Sequence, residues 1–94
     1  MESFHNELTD NLMDTIINIK NRKDAYEFFE DLCTIKEILE MSKRLEAAKL
    51  LSNNLKYDDI IKKIGLSTAT LSRVSRALNY GSGGYKNLVN KWRK

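Results

Sequence analysis

Apolar residues recur at three- and four-residue steps along most of the chain, which predicts a protein built from helices. The first such stretch predicts an amphipathic helix near residues 7–20. Asn21 has a side chain suited to cap a second helix, whose apolar residues share one face. Thr34 opens the sequence TIKE, a Thr-x-x-Glu capping box, so we expect a third helix over residues 35–52.

The third predicted helix is apolar on more than one side. Its apolar residues are Ile35, Ile38, Leu39, Met41, Leu45, Ala47, Ala48, Leu50 and Leu51. A helix of this kind needs several neighbours, and the two short helices before it are too small to cover it. We therefore expect a homodimer intertwined through residues 7–52, with burial of the helix inside a compact monomer as the alternative.

Shorter helices follow in the second half of the chain. The sequence YDDIIKKI predicts a helix over residues 57–64, with two aspartates in its first turn that complement the helix dipole. Gly65 ends this helix, and Ser67 can cap the next one, near residues 68–79. The sequence YGSGGY then interrupts the pattern before a last helix over residues 84–93.

The spacing over residues 57–79 is typical of a helix-turn-helix, in which two helices cross steeply around a short glycine turn. Gly65 supplies the positive φ that a β-carbon would penalise. The positions expected to face inward are Ile60, Ile61, Ile64, Leu66, Leu71 and Val74. The positions left to face outward on the second helix are Ser67, Thr68, Ala69, Thr70, Ser72, Arg73 and Arg76.

This outward face suits the major groove of DNA, which is about 12 Å wide and favours short side chains on an entering helix. Hydroxyl groups can donate to phosphates or base edges, and the methyl groups of Thr68 and Thr70 can contact thymine methyls. Arg73 and Arg76 can reach guanine or the backbone. The residues suited to further phosphate contacts are Lys56, Lys62 and Lys63. A solvated surface helix is the alternative, but it explains only the capping residue Ser67.

Charge is distributed unequally along the chain, whose formal net charge is +3. Residues 1–42 contain four basic and ten acidic residues, whereas residues 60–94 contain eight basic residues and no acid. A fold that separates these parts presents one positive face, which attracts phosphate backbones. Ordinary solvated lysines would give the same composition, so charge alone leaves the partner open.

Length and composition favour one all-α domain, because the chain has 94 residues, no proline and four glycines. A single cysteine and the absence of a leader-like or membrane-spanning apolar run predict a cytoplasmic protein with no membrane partner. His5 and Cys33 are too few to form a zinc site, so we expect no metal. The GSGG sequence lacks the Lys-Ser/Thr of a phosphate-binding loop, and we expect no enzymatic activity.

The segment GLSTATLSRVSRALNYGSGGY, residues 65–85, resembles the Trp-repressor-like helix-turn-helix family, in particular its YerC/YecD group. The specific feature is STATLSR followed by LNYGSGGY, and MSKRLEAAKLL at 41–51 resembles the segment upstream. The likeness spans roughly residues 25–90. It implies an all-α fold of about six helices, an intertwined homodimer with one helix-turn-helix per subunit, and a sequence-specific DNA-binding transcriptional regulator, in particular a repressor.

The resemblance also implies a place for a ligand, because in the Trp repressor tryptophan lies between helices and is flanked by two arginines. Arg44 and Arg73 match those arginines here. Ala77 stands where the repressor has a serine that helps to hold the ligand's amino group, which counts against tryptophan. An amino-acid corepressor therefore remains one possibility. The others are a salt bridge from Arg44 to Glu40 or Glu37 on the same helix and a phosphate contact for Arg73.

Two functions other than DNA binding stay open at this point. The basic C-terminal third can dock an acidic protein partner, or the chain can bind RNA. DNA is favoured because an interaction helix usually presents a wider aromatic or aliphatic anchor than this hydroxyl-rich helix does.

Overall fold

The computed structural model describes residues 3–92, which contain six α-helices and no β-strand. The helices are α1 (Glu7–Ile17), α2 (Arg22–Leu32), α3 (Ile35–Ser52), α4 (Tyr57–Ile64), α5 (Thr68–Tyr80) and α6 (Gly84–Trp92). The predicted all-α fold class is confirmed. Two compact units are present, one that ends at Ile35 and one that begins at Lys36, and each is described by itself.

Helix α1 begins at a capping box and ends earlier than its sequence pattern predicts. The Asn6 side chain accepts a hydrogen bond from the Thr9 N–H at 3.0 Å, and the Thr9 hydroxyl accepts one from the Asn6 N–H at 2.8 Å. The helix ends at Ile17 rather than at residue 20. The side-chain amide of Asn18 donates to the Asp14 carbonyl at 2.7 Å, which satisfies a carbonyl of the last turn and caps the helix.

Neither α1 nor α2 contains a buried residue. Asn21 caps α2 as predicted, since its side chain accepts a hydrogen bond from the Asp24 N–H at 2.8 Å. Large apolar side chains in this unit face solvent, including Leu8 at 79% and Ile17 at 77% exposure. In the single chain, this unit therefore leaves large apolar side chains in contact with water.

The second unit has a hydrophobic core to which all four of its helices contribute. Its buried residues are Ala47, Ala48 and Leu50 of α3, Ile60 of α4, Leu66 of the turn, Leu71 and Val74 of α5, and Val89 of α6. Most of the predicted inward positions of the helix-turn-helix are therefore buried. Ile61 and Ile64 are half-buried and pack against this core.

The connections between these helices contain residues with turn or cap conformations, among them the predicted Gly65 and Ser67. Asn54 adopts a left-handed conformation after α3, with φ of +67°. Gly65 ends α4 with φ of +80°, a region that costs a residue with a β-carbon free energy. Ser67 caps α5, because its hydroxyl oxygen accepts a hydrogen bond from the Thr70 N–H at 3.1 Å.

Helix α5 ends at Tyr80, one residue beyond the prediction, and α6 begins at Gly84 as predicted. Helix α6 is described as far as Trp92, so residue 93 of the predicted helix lies outside the described residues. Within residues 3–92, none of the helices is both long enough and apolar enough to span a lipid bilayer.

The turn between α4 and α5 can be tested with Gly65→Ala. No atom lies within 4 Å of a β-carbon built at this position, so the substitution introduces backbone strain without a clash. We expect a loss of about 1–2 kcal/mol in the free energy of unfolding. In thermal denaturation, Gly84→Ala is the control, since Gly84 has neither a positive φ nor a close neighbour. Equal melting temperatures for the two variants would contradict the strain at this turn.

Candidate nucleic-acid interface

Helices α4 and α5 pack against each other around the Gly65 turn, as in a helix-turn-helix. Leu71 and Val74 of α5 are 0% and 2% exposed, so they fix which side of this helix faces the core. Because an α-helix turns about 100° per residue, the residues on the opposite side of α5 point away from this core. The rotation of α5 about its axis is thus set by burial.

The solvent-facing side of α5 contains most of the residues that the sequence predicts. Thr68, Ala69, Arg73 and Arg76 are exposed. Thr70 and Ser72 are instead half-buried, although the sequence pattern places them on the outward face. The side chains that α5 presents fully to solvent are therefore fewer than predicted.

The hydroxyl groups of Ser67 and Thr70 are engaged with each other at the start of α5. The Ser67 hydroxyl donates to the Thr70 hydroxyl oxygen at 2.9 Å and accepts from the Thr70 N–H at 3.1 Å. The only donor of the Ser67 hydroxyl is thus already used within the protein. To donate to a phosphate, Ser67 must give up its bond to the Thr70 hydroxyl, while its oxygen can still accept from the Thr70 N–H and cap the helix.

Three lysines extend the positive surface onto and beside α4. Lys56 precedes the helix without capping it by its side chain, and Lys62 and Lys63 lie in its last turn. All three are exposed. Asp58 and Asp59 occupy the first turn, where they complement the helix dipole as predicted. Within α4 the charge is therefore separated along the axis, with Lys62 and Lys63 next to the Gly65 turn, whereas Lys56 lies before the opposite end of the helix.

A pocket of about 350 Å³ lies between α3 and α5. The described residues that line it are Glu40, Arg44, Ala69, Thr70 and Arg73. Arg44 is half-buried and Arg73 is exposed. The two arginines that the family resemblance pairs are thus brought to one pocket in the second unit. Glu40, whose part in the pocket the sequence did not reveal, precedes Arg44 by one helical turn, and this spacing is the feature that could have identified it.

The salt bridge considered for Arg44 is not present. Among the described residues, the Arg44 guanidinium forms no ion pair with Glu40 or any other carboxylate. Its charge is therefore available within the pocket. Residues 3–92 bring together no three His, Cys, Asp or Glu side chains that could hold a metal ion.

Several known proteins resemble this chain. The family described as Trp repressor protein matches residues 7–93. The uncharacterized protein YerC of Bacillus subtilis is 46% identical over 77 residues, which cover 82% of this chain and 74% of that protein.

Two solved structures share the fold. One is described as a candidate Trp repressor from Staphylococcus aureus, with a TM-score of 0.90, 39% identity, and coverage of 94% of this chain and 88% of the other. The second is a TrpR-like protein from Eubacterium eligens, with a TM-score of 0.90, 46% identity, and coverage of 93% and 90%. Sequence and fold agree over nearly the whole chain, and this protein belongs to the Trp repressor family.

Proposed function

We propose that the protein is a homodimeric, sequence-specific DNA-binding regulator of transcription, in which α5 enters the major groove. The observation that carries this proposal is the outward face of α5, where Thr68, Ala69, Arg73 and Arg76 are exposed opposite a buried side. Short side chains at the start of the helix let its backbone approach the bases. The arginines that follow can donate to guanine or to phosphates.

The charge around this face favours nucleic acid as the partner. Residues 60–94 contain no acidic residue, and Lys62 and Lys63 lie exposed beside the turn that precedes α5. Cations at the margin of a groove-binding helix make phosphate contacts that position the protein without reading sequence. We propose this role for the two lysines and for Lys56.

The proposed dimer is supported by the apolar residues that lie exposed in α1, α2 and the first half of α3. Ile35 is 74% exposed and Leu39 is 56% exposed, although both belong to the helix whose second half enters the core. Removal of such side chains from water contributes about 1.5–3 kcal/mol each. A second copy of the chain that covers them accounts for their exposure in a single chain, and residues 7–52 remain the proposed dimerisation segment.

The repressor role rests on likeness alone. The Staphylococcus aureus structure is described as a candidate Trp repressor, and the Eubacterium eligens protein as TrpR-like. We extend this role to the present chain as part of the proposal. Docking of an acidic protein by the same basic surface is the competing function.

Selection of bound sequences from random duplex DNA tests the proposed function. A symmetric dimer with one reading helix per subunit should enrich a near-palindrome with half-sites about 10 base pairs apart, because successive major grooves lie about 34 Å apart. A parallel selection with single-stranded RNA controls for general attraction to phosphates. Failure to enrich any duplex, together with tight binding of acidic peptides, would favour the competing function.

The contribution of Arg76 can be measured with Arg76→Ala. If Arg76 contacts a base, we expect duplex affinity to fall by roughly 5- to 150-fold. If Arg76 contacts a phosphate, we expect the slope of log affinity against log salt concentration to decrease by the contribution of about one phosphate contact. Lys23→Ala is the control, because it removes the same charge from an exposed ion pair on α2, where Lys23 lies 3.2 Å from Glu27. Equal affinities and salt slopes for both variants would contradict the proposed face.

The proposed dimer can be tested with Ile17→Glu, which places a carboxylate in the exposed apolar surface of α1. The proposed dimer would bury the Ile17 side chain, so the variant loses this apolar contact and places a charge at the interface. The dimer dissociation constant should therefore rise about tenfold or more. Asn11→Glu adds the same charge to an exposed polar position of the same helix. Sedimentation at several concentrations should show weaker association only for the Ile17 variant. A wild-type chain that stays monomeric at high concentration would contradict the proposed dimer.

A further inference from the structure

The pocket between α3 and α5 has the chemistry of an anion site. Of its described lining residues, Arg44 and Arg73 carry guanidinium groups and Glu40 carries the one carboxylate. Neither arginine forms an ion pair with another described residue, so no described carboxylate neutralises the excess positive charge of the pocket. A planar guanidinium presents a fork of N–H donors that matches phosphate oxygens.

We propose that this pocket receives a backbone phosphate of the bound DNA, so that Arg44 of α3 is a DNA contact and binding requires no small-molecule effector. The inference rests on the proposed DNA-binding function. It differs from the ligand role that the family resemblance implies for Arg44 and Arg73, because it assigns the pocket to the duplex itself.

The position of the pocket favours a phosphate of the duplex over a separate ligand. Ala69, Thr70 and Arg73 line it, and Ala69 and Arg73 also belong to the exposed face of α5. The major groove is only about 12 Å wide, so a helix that enters it lies close to the phosphates on either side. A phosphate at the edge of the groove would thus lie beside the pocket when the first turn of α5 meets the bases.

The lining of the pocket is poorly suited to an apolar or aromatic small molecule. Ligand pockets are usually lined mainly by hydrophobic and aromatic side chains. Here the described lining is polar or charged except for Ala69. A small, strongly charged group such as a phosphate matches this surface without the need for apolar walls.

Glu40 opposes the anion that the two arginines attract. Its carboxylate lines the same pocket, so replacement by the uncharged Gln removes a repulsion while preserving size. We therefore expect Glu40→Gln to bind duplex DNA about two- to fivefold more tightly than wild type, within the range that Coulomb's law allows for a charge near 4 Å in water. A gain of affinity cannot result from damage to the fold.

The test compares duplex affinity over a series of salt concentrations, in buffer free of amino acids, for wild type and four variants. Arg44→Ala should lower affinity about eightfold at 0.1 M salt and reduce the salt slope by about 0.9, the contribution of one phosphate contact. Lys43→Ala is its control, because it removes a neighbouring charge of α3 that does not line the pocket. Glu46→Gln is the matched control for Glu40→Gln, since Glu46 is exposed on the same helix.

Each outcome decides the proposal. A smaller salt slope for Arg44→Ala than for Lys43→Ala, with tighter binding by Glu40→Gln than by Glu46→Gln, would support it. If wild type binds duplex DNA but Arg44→Ala and Lys43→Ala have the same affinity and the same salt slope, the pocket proposal is overturned and the proposed function stays intact. Wild-type binding that appears only after free amino acids are added would also overturn it, in favour of an effector pocket. Absence of duplex binding by wild type under every condition would remove the proposed function as well.

Discussion

The burial of one side of α5 is the constraint on which the rest of the second unit depends. Leu71 and Val74 pack with Ile60 of α4 and the alanines of α3 in one core. This contact fixes the rotation of α5 about its axis, and with it the side chains that meet solvent. The Gly65 turn serves the same arrangement, because a left-handed residue with φ of +80° brings α4 and α5 against each other after only a short connection. The residues that α5 directs away from the core are thus determined by the residues that it buries.

The two units of the chain differ in how many of their large apolar side chains are buried within the single chain. The second unit buries its own residues, whereas α1 and α2 have none buried and expose side chains as large as Leu8 and Ile17. Helix α3 combines both properties, since Ala47 and Ala48 are fully buried and Ile35 is largely exposed. One unit therefore has a core that fixes the rotation of α5, and the other exposes apolar side chains that the proposed dimer would cover.

Local chemistry explains why so much of the fold could be predicted from the sequence. Asn21, Gly65 and Ser67 act through hydrogen bonds or backbone conformations within a few residues, and each performs its predicted role. The sequence does not predict the early end of α1, because the periodicity of its apolar residues continues past Asn18, whose side-chain hydrogen bond caps the helix. Features that depend on tertiary packing were harder to foresee. The half-burial of Thr70 and the presence of Glu40 in the pocket depend on tertiary packing, which periodicity does not encode.

We propose that the exposed face of α5, whose rotation is fixed by the core beneath it, is the surface that meets DNA. Amide chemical-shift changes during titration with duplex DNA measure this most directly. We expect the largest changes within residues 65–76 and around Arg44, with small changes at the buried position Ile60 of α4. Changes concentrated in α1 and α2, with α5 unaffected at saturating duplex, would contradict it.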